Sequence, residues 1–248
     1  MPIHSPTDWI LAIIATLCIG LSKSGFSGIG LVAVIIMAHL FPPLESTGVV
    51  LPMLIFGDIC AVVVFQQHAN WKHIRRMLPP TLIGIVCGWV LMHFIPNQKF
   101  GPVIGSIVLI MVLVQTLRQL RPDLFRHVPH SHAFAWTMGC GSGVATMLAN
   151  AAGPIMALYL LSINLPKYEL IGTSAWFFCL INLIKVPFSA QLGLIHGQSL
   201  LFNLVLAPCV IIGALLGKRL VAIVPQRIFE TLLLIFAGMA SLRLLGLF

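Results

Sequence analysis

Acidic side chains are scarce in this chain. Asp and Glu together number 6 in 248 residues, and charged residues of both signs make up 8%. A soluble domain carries about 25% charged residues, so this chain cannot coat its surface with water-compatible groups. Paired cysteines are missing as well. Cys18, Cys60, Cys87, Cys140, Cys179 and Cys209 all sit inside apolar segments, with no C-x-x-C pair. That pattern argues against a disulfide framework and against a zinc site; a buried cysteine acts as a small hydrophobe. The N-terminal MPIHSPTDW lacks a basic n-region, so the first apolar segment is expected to be retained.

What is present is apolar: 59% of residues are hydrophobic and the mean hydropathy is +1.04. The expected class is an all-α integral membrane protein, with the lipid bilayer as its surroundings. The net charge of +8 comes from Lys and Arg placed mostly in short loops between apolar runs. Such loops set orientation in a membrane, so nucleic acid is not an expected partner.

Six apolar runs are long enough to cross a bilayer, at 47–66, 77–95, 101–118, 170–189, 199–217 and 227–247. Two further regions, 9–41 and 133–164, each hold two short apolar arms around a Gly/Ser-rich break. An arm of about 13 residues reaches only about 20 Å, against a hydrocarbon core of about 30 Å. Each pair of arms is therefore expected to form a re-entrant or broken helical hairpin, with the second break around Gly139 to Gly153. The chain also repeats itself. Pro42, Glu45, Gly48, Asp58 and Gln67 have counterparts at one constant offset in Pro166, Glu169, Gly172, Asn182 and Gln191. At a slightly longer offset, Pro79, Gly84 and Gly88 match Pro208, Gly213 and Gly217. A weak repeat in an apolar chain is the mark of a transporter built from two related halves.

The basic loops orient these halves. If each hairpin enters and leaves on one side, Lys72, Arg75 and Arg76 share a face with Arg118, Arg121 and Arg126, and with Lys218, Arg219 and Arg227. The uncharged stretch 190–198 and Asp8 fall opposite, a positive-inside pattern. The expected fold is two inverted-topology repeats, each a hairpin plus three transmembrane helices. The first spans residues 1–118 and the second 133–248, joined by a cytoplasmic basic linker at 119–132. Both termini are expected outside the cytoplasm of a bacterial inner membrane. His127, His130 and His132 in the linker have no acidic or cysteine companions, so neither a metal nor a cofactor is expected.

The breaks hold the first candidate residues for binding a substrate: Ser22, Lys23, Ser24, Gly25, Ser27 and Gly28 in one, Ser142, Gly143, Asn150 and Gly153 in the other. Glycine lets backbone approach a ligand. A helix that restarts at membrane depth aims unpaired N–H groups and its positive end at that ligand. The competing reading is that Gly and Ser merely allow helices to pack closely. Asp58 lies near the middle of its span, where a carboxylate costs about 2.5–3.5 kcal/mol. Taking up a proton relieves that cost, so Asp58 is the candidate for proton coupling or gating. Its counterpart Asn182 keeps the hydrogen bonding without the titration. Lys185 follows Asn182 by three residues on one helix face, where it could complete a cationic site or pair with Asp58.

These features resemble the sulfite exporter TauE/SafE family of membrane transport proteins. The resemblance covers nearly the whole chain. It rests on the duplicated halves, the glycine-rich break early in each, the E-x-x-G-T-S stretch at Glu169 to Ser174, and the P-x-x-x-x-G-x-x-x-G stretches at Pro79 to Gly88 and Pro208 to Gly217. It implies a secondary transporter, an exporter, of small sulfur-containing anions such as sulfite or organosulfonates; homo-oligomerisation is left open. Two alternatives stand beside it. One is an anion channel with the same pore. The other is a rhomboid-like intramembrane serine protease using Ser27 of Gly25-Phe26-Ser27-Gly28, which needs a histidine base that no span obviously supplies.

Overall fold

The computed structural model describes residues 5–24, 28–65, 68–121, 131–163, 165–223 and 226–247. Among the described residues there is no strand. The helices are α1 (Pro6–Ser22), α2 (Ile29–Leu40), α3 (Pro43–Phe65), α4 (Trp71–Phe94), α5 (Asn97–Leu120), α6 (His132–Ala149), α7 (Gly153–Ser162), α8 (Lys167–Gln191), α9 (Gly197–Ile223) and α10 (Gln226–Leu244). Five of them, α3, α4, α5, α8 and α9, are long and apolar enough to cross a membrane. Helix α10, with 19 residues, occupies the sixth expected position. Side chains such as Val63, Leu113 and Leu204 point outward from these helices and remain exposed, as lipid-facing residues do.

Local chemistry sets the helix ends. A capping box of Ser5 and Asp8, with Pro6 in the first turn, starts α1. Asn150 ends α6 in the left-handed conformation at φ 52°, which asparagine tolerates better than most residues. Helix α1 then turns back into α2. Trp9 near the start of α1 and Phe41 just past the end of α2 both pack on Phe202 of α9, with ring centroids 5.9 and 5.3 Å apart. The chain thus returns to the level from which it set out. The second hairpin does the same: Phe134 at the start of α6 stacks on Tyr159 late in α7 at 6.2 Å.

Two details differ from the sequence expectation. The first arms are longer than foreseen: α1 has 17 residues and α6 has 18, reaching about 25 Å or slightly more. The second break is also narrower. Helix α6 runs unbroken through Gly139, Gly141 and Gly143, and the chain leaves it only at Asn150–Ala152. The physical reason is a helix seam. A Cβ on Gly139 would press into the Pro80 ring, and one on Gly143 would collide with the Thr81 carbonyl oxygen of α4. Those glycines let two helices touch backbone to backbone, as small residues do in membranes.

The main helix pairings of the two halves correspond. Helix α1 lies along α9 as α6 lies along α4, α2 meets α10 as α7 meets α5, and α3 packs on its own counterpart α8. Gly20 and Gly213 form the seam of the first pair, as Gly143 and Gly84 do in the second. Helices α3 and α8 run antiparallel. Gly48 early in α3 abuts Leu194 beyond α8, while the Asn70 N–H beyond α3 donates to Thr173 Oγ1 early in α8, at 2.9 Å. Near the starts of α3 and α5 Pro43 meets Gly101, which also nears Leu244 at the end of α10. At the opposite, basic face Thr231 of α10 donates to Gln119 of α5 at 3.1 Å.

Candidate functional site

Where the hairpin tips approach α3 and α8, a cavity of about 400 Å³ opens, lined by Ser22, Lys23, Ser24, Asp58, Asn150, Gly153 and Asn182 among others. Lys23 closes α1, its backbone N–H donating to the Gly20 carbonyl and that of Ser24 to the Leu21 carbonyl, a position where a cation meets the negative end of the helix. Gly57 leaves room for its stem: a Cβ there would lie 3.3 Å from Lys23 Cγ. The Lys23 ammonium reaches Asp58 Oδ1 at 2.7 Å and sits 5.5 Å from the centre of the Phe178 ring. Asp58, fully buried, accepts a second bond at Oδ2 from Asn182 Nδ2, also at 2.7 Å. The two residues that the sequence pairs across its halves therefore touch.

Lys185 extends the network away from Asp58. Its ammonium donates to Asn150 Oδ1 at 2.5 Å, Thr146 Oγ1 at 3.1 Å and Asn182 Oδ1 at 3.4 Å. Asn150 Nδ2 in turn donates to the Thr47 carbonyl at 3.0 Å, tying the second hairpin tip to α3. Of the two sequence options for Lys185, direct pairing with Asp58 is not what forms; Lys23 takes that partner. Lys185 is 2% exposed, and its hydrogen-bond partners are all neutral. The cluster thus holds two lysines and one aspartate. Among the described residues, Asp58 is the one acid lining the cavity.

The other sequence candidates divide. Ser22 and Ser24 line the cavity, but their hydroxyls already donate to Ile19 O at 2.7 Å and Ala214 O at 3.0 Å. Gly153 opens α7 onto the cavity, and Gly30 in the first turn of α2 lines it too. Gly28, the residue before α2, is buried against Leu234 rather than on the cavity wall. Ser142 and Gly143 are buried and do not line it, and Gly143 serves the seam with α4. Gly25 and Ser27 lie outside the described residues, as do His127 and His130. His132 begins α6, so that end of the linker is helical. Among the described residues no group of His, Cys, Asp or Glu is arranged to hold a metal.

Sequence reasoning missed Thr146, Arg118 and Phe178. Thr146 precedes Asn150 by one helical turn, a spacing that places it beside any partner of Asn150. Arg118 lines the cavity from the last turn of α5, yet in sequence it reads only as an orientation charge. Phe178 precedes Asn182 by one turn in the same way.

A search of curated proteins and a search of solved structures each return no match. The sequence model described as sulfite exporter TauE/SafE matches residues 12–244, nearly the whole chain. With its apolar crossing helices and its buried polar centre, this chain belongs to the sulfite exporter TauE/SafE family, a family of membrane transporters of sulfur-containing anions and not of enzymes.

Proposed function

We propose that the chain is a secondary transporter that exports sulfite or a small organosulfonate across the bacterial inner membrane, through the cavity between the two hairpin tips. The carrying observation is the excess of cation. In the buried cluster Lys23 pairs with Asp58, while Lys185 has only neutral hydrogen-bond partners, and a buried charge without a counter-charge is costly. A bound anion supplies the missing charge. The first turns of α2 and α7 reach the cavity through Gly30 and Gly153, and helix N-termini favour anions. The antiparallel α3 and α8 fit inverted halves, in which such tips meet from opposite sides.

In this reading the anion competes with Asp58 for Lys23, and a proton on Asp58 shifts that competition toward the anion. The cavity reaches Arg118, Leu165 and Leu170 at the basic end, the cytoplasmic side by the positive-inside rule. In this reading the Lys185–Asn150–Thr47 connection, which ties α8 to the second hairpin tip and α3, bars the other end. Alternating access follows when that bar opens and the basic end closes. An inside-negative potential drives a monovalent anion outward by about 2.3 kcal/mol per 100 mV. The bar is a reason to prefer a carrier over an open channel.

The test is efflux of labelled sulfite from liposomes carrying the purified protein, under an inside-negative potential. Efflux faster than from protein-free liposomes, with a pH dependence lost in Asp58→Asn, supports both the transport and the gating roles. Efflux equal to the protein-free control sinks the transport reading. A pH dependence that survives in Asp58→Asn sinks the gating role alone.

A further inference from the structure

We infer that Lys185 is a second anion station, which holds the transported anion when the path faces outward as Lys23 holds it from the cytoplasmic side; this rests on the anion-transport reading above. The matched residues of α3 and α8 meet the cavity unevenly. Residues 124 positions apart pair across the halves, as Asp58 and Asn182 do. That pair lines the cavity with both members, and so do Leu54 with Phe178 and Val50 with Ser174. Two pairs split. Ala61 and Ile171 line the cavity, while their counterparts Lys185 and Thr47 do not. The two members left out are the ones that the Asn150 side chain holds, through Lys185 Nζ and the Thr47 carbonyl.

The hairpins show a matching exchange. A Cβ on Gly20 would meet the Val210 carbonyl oxygen, and one on Gly143 the Thr81 carbonyl oxygen. Val210 and Thr81 each stand two residues past the matched Pro208 and Pro79, so the two glycines hold equivalent seams. Three residues past Gly20 comes Lys23, and three past Gly143 comes Thr146. The first half therefore sends its lysine from the hairpin, with Ala61 on α3. The second sends Lys185 from α8, and Thr146 of the hairpin receives it at 3.1 Å. Each half thus brings one lysine to the Asp58–Asn182 bond: Lys23 to Asp58 at 2.7 Å, and Lys185 to Asn182 at 3.4 Å. Only the first lines the cavity.

When inverted halves trade conformations, the two ends of the path trade accessibility. That trade uncovers Lys185 and Thr47 to the outer side and covers Ala61 and Ile171. The neutral oxygens that hold Lys185 are weaker partners than an oxyanion, so the anion displaces them while Asp58 reclaims Lys23.

The test reads the two faces separately. Half-saturating sulfite is measured from the outer face in right-side-out vesicles and from the cytoplasmic face in inverted ones. Lys185→Gln is expected to raise the outer value about tenfold or more, as losing a hydrogen bond to a charged group does, and to leave the inner value within about twofold. A second readout needs no variant. Acetyl N-hydroxysulfosuccinimide, an amine reagent that does not cross membranes, should acetylate Lys185 of the wild-type protein from the outer face alone, as scored by mass spectrometry. Equal rises on both faces overturn the second station and leave the transport reading standing. So does a Lys185 that stays unacetylated, or is acetylated from the cytoplasmic face, while sulfite moves. Lys185 acetylated from the outer face of a protein that moves no sulfite keeps the exchange and overturns the sulfite assignment. Neither flux nor acetylation overturns both.

Discussion

Replacing Asp58 with Asn removes one negative charge and almost no volume. It leaves Lys23 facing an amide where a carboxylate oxygen stood at 2.7 Å, and leaves two buried lysines with no carboxylate between them. Breaking a buried ion pair by removing one partner costs about 3–5 kcal/mol. For a chain of this size each kcal/mol moves the melting temperature by about 2–4 °C, so Asp58→Asn should melt lower by about 10 °C. Lys23→Met should be destabilising too, since Asp58 then keeps only the Asn182 bond. Replacing both together removes the pair cleanly, and such exchanges are commonly near neutral. A thiol-reactive fluorophore reads the melting of the detergent-solubilised protein, because Cys18 and Cys179 are free and buried in the folded state. The expected coupling across the double-mutant cycle is about 3 kcal/mol. A double variant as unstable as the sum of its parents would refute the claim that Lys23 and Asp58 act as a unit.

Three further outcomes separate site from scaffold. Gly143→Ala forces a Cβ into the Thr81 carbonyl and Gly84 backbone, while Gly141→Ala meets its nearest neighbour only at 3.9 Å; the first should lower the melting temperature by an amount matching about 1–3 kcal/mol or more of overpacking, the second hardly at all. Gly57→Leu changes no charge but fills the space beside the Lys23 stem, so sulfite flux should fall severalfold as the ammonium is displaced, with wild-type flux counting against this placement. Asn150→Gly keeps the left-handed backbone and deletes the bonds to Lys185 and Thr47, a loss of about 2–4 kcal/mol that a melting curve resolves.

The sequence disclosed the membrane class and the positions of the long helices, because runs of apolar residues survive any detail of packing. It set helix starts too late where the first turns are polar. Helix α4 begins at Trp71 rather than near residue 77, since Lys72, Arg75 and Arg76 precede its apolar part. The second break was misread for a different reason: glycine serves both chain reversal and close helix contact, and only the neighbour decides between them. Gly143 faces α4, while the reversal falls to Asn150. Asp58 and Asn182 were visible as matching positions in the sequence, but their direct bond depends on how α3 and α8 pack. Lys185 was left with two options because a lysine stem reaches in either direction along α8; the Asn150 side-chain oxygen Oδ1 at the second hairpin tip captures it. Arg118 was hidden by its company in a basic loop, where charge already has a sufficient explanation.

The central claim is that the cation-rich cluster at the hairpin tips binds the transported anion, and counterflow tests it most directly. Liposomes carrying the protein are loaded with unlabelled sulfite and diluted into trace labelled sulfite. The account predicts a transient accumulation of label above its equilibrium level, abolished in Lys23→Met. No accumulation with the wild-type protein, or equal accumulation with Lys23→Met, would contradict it.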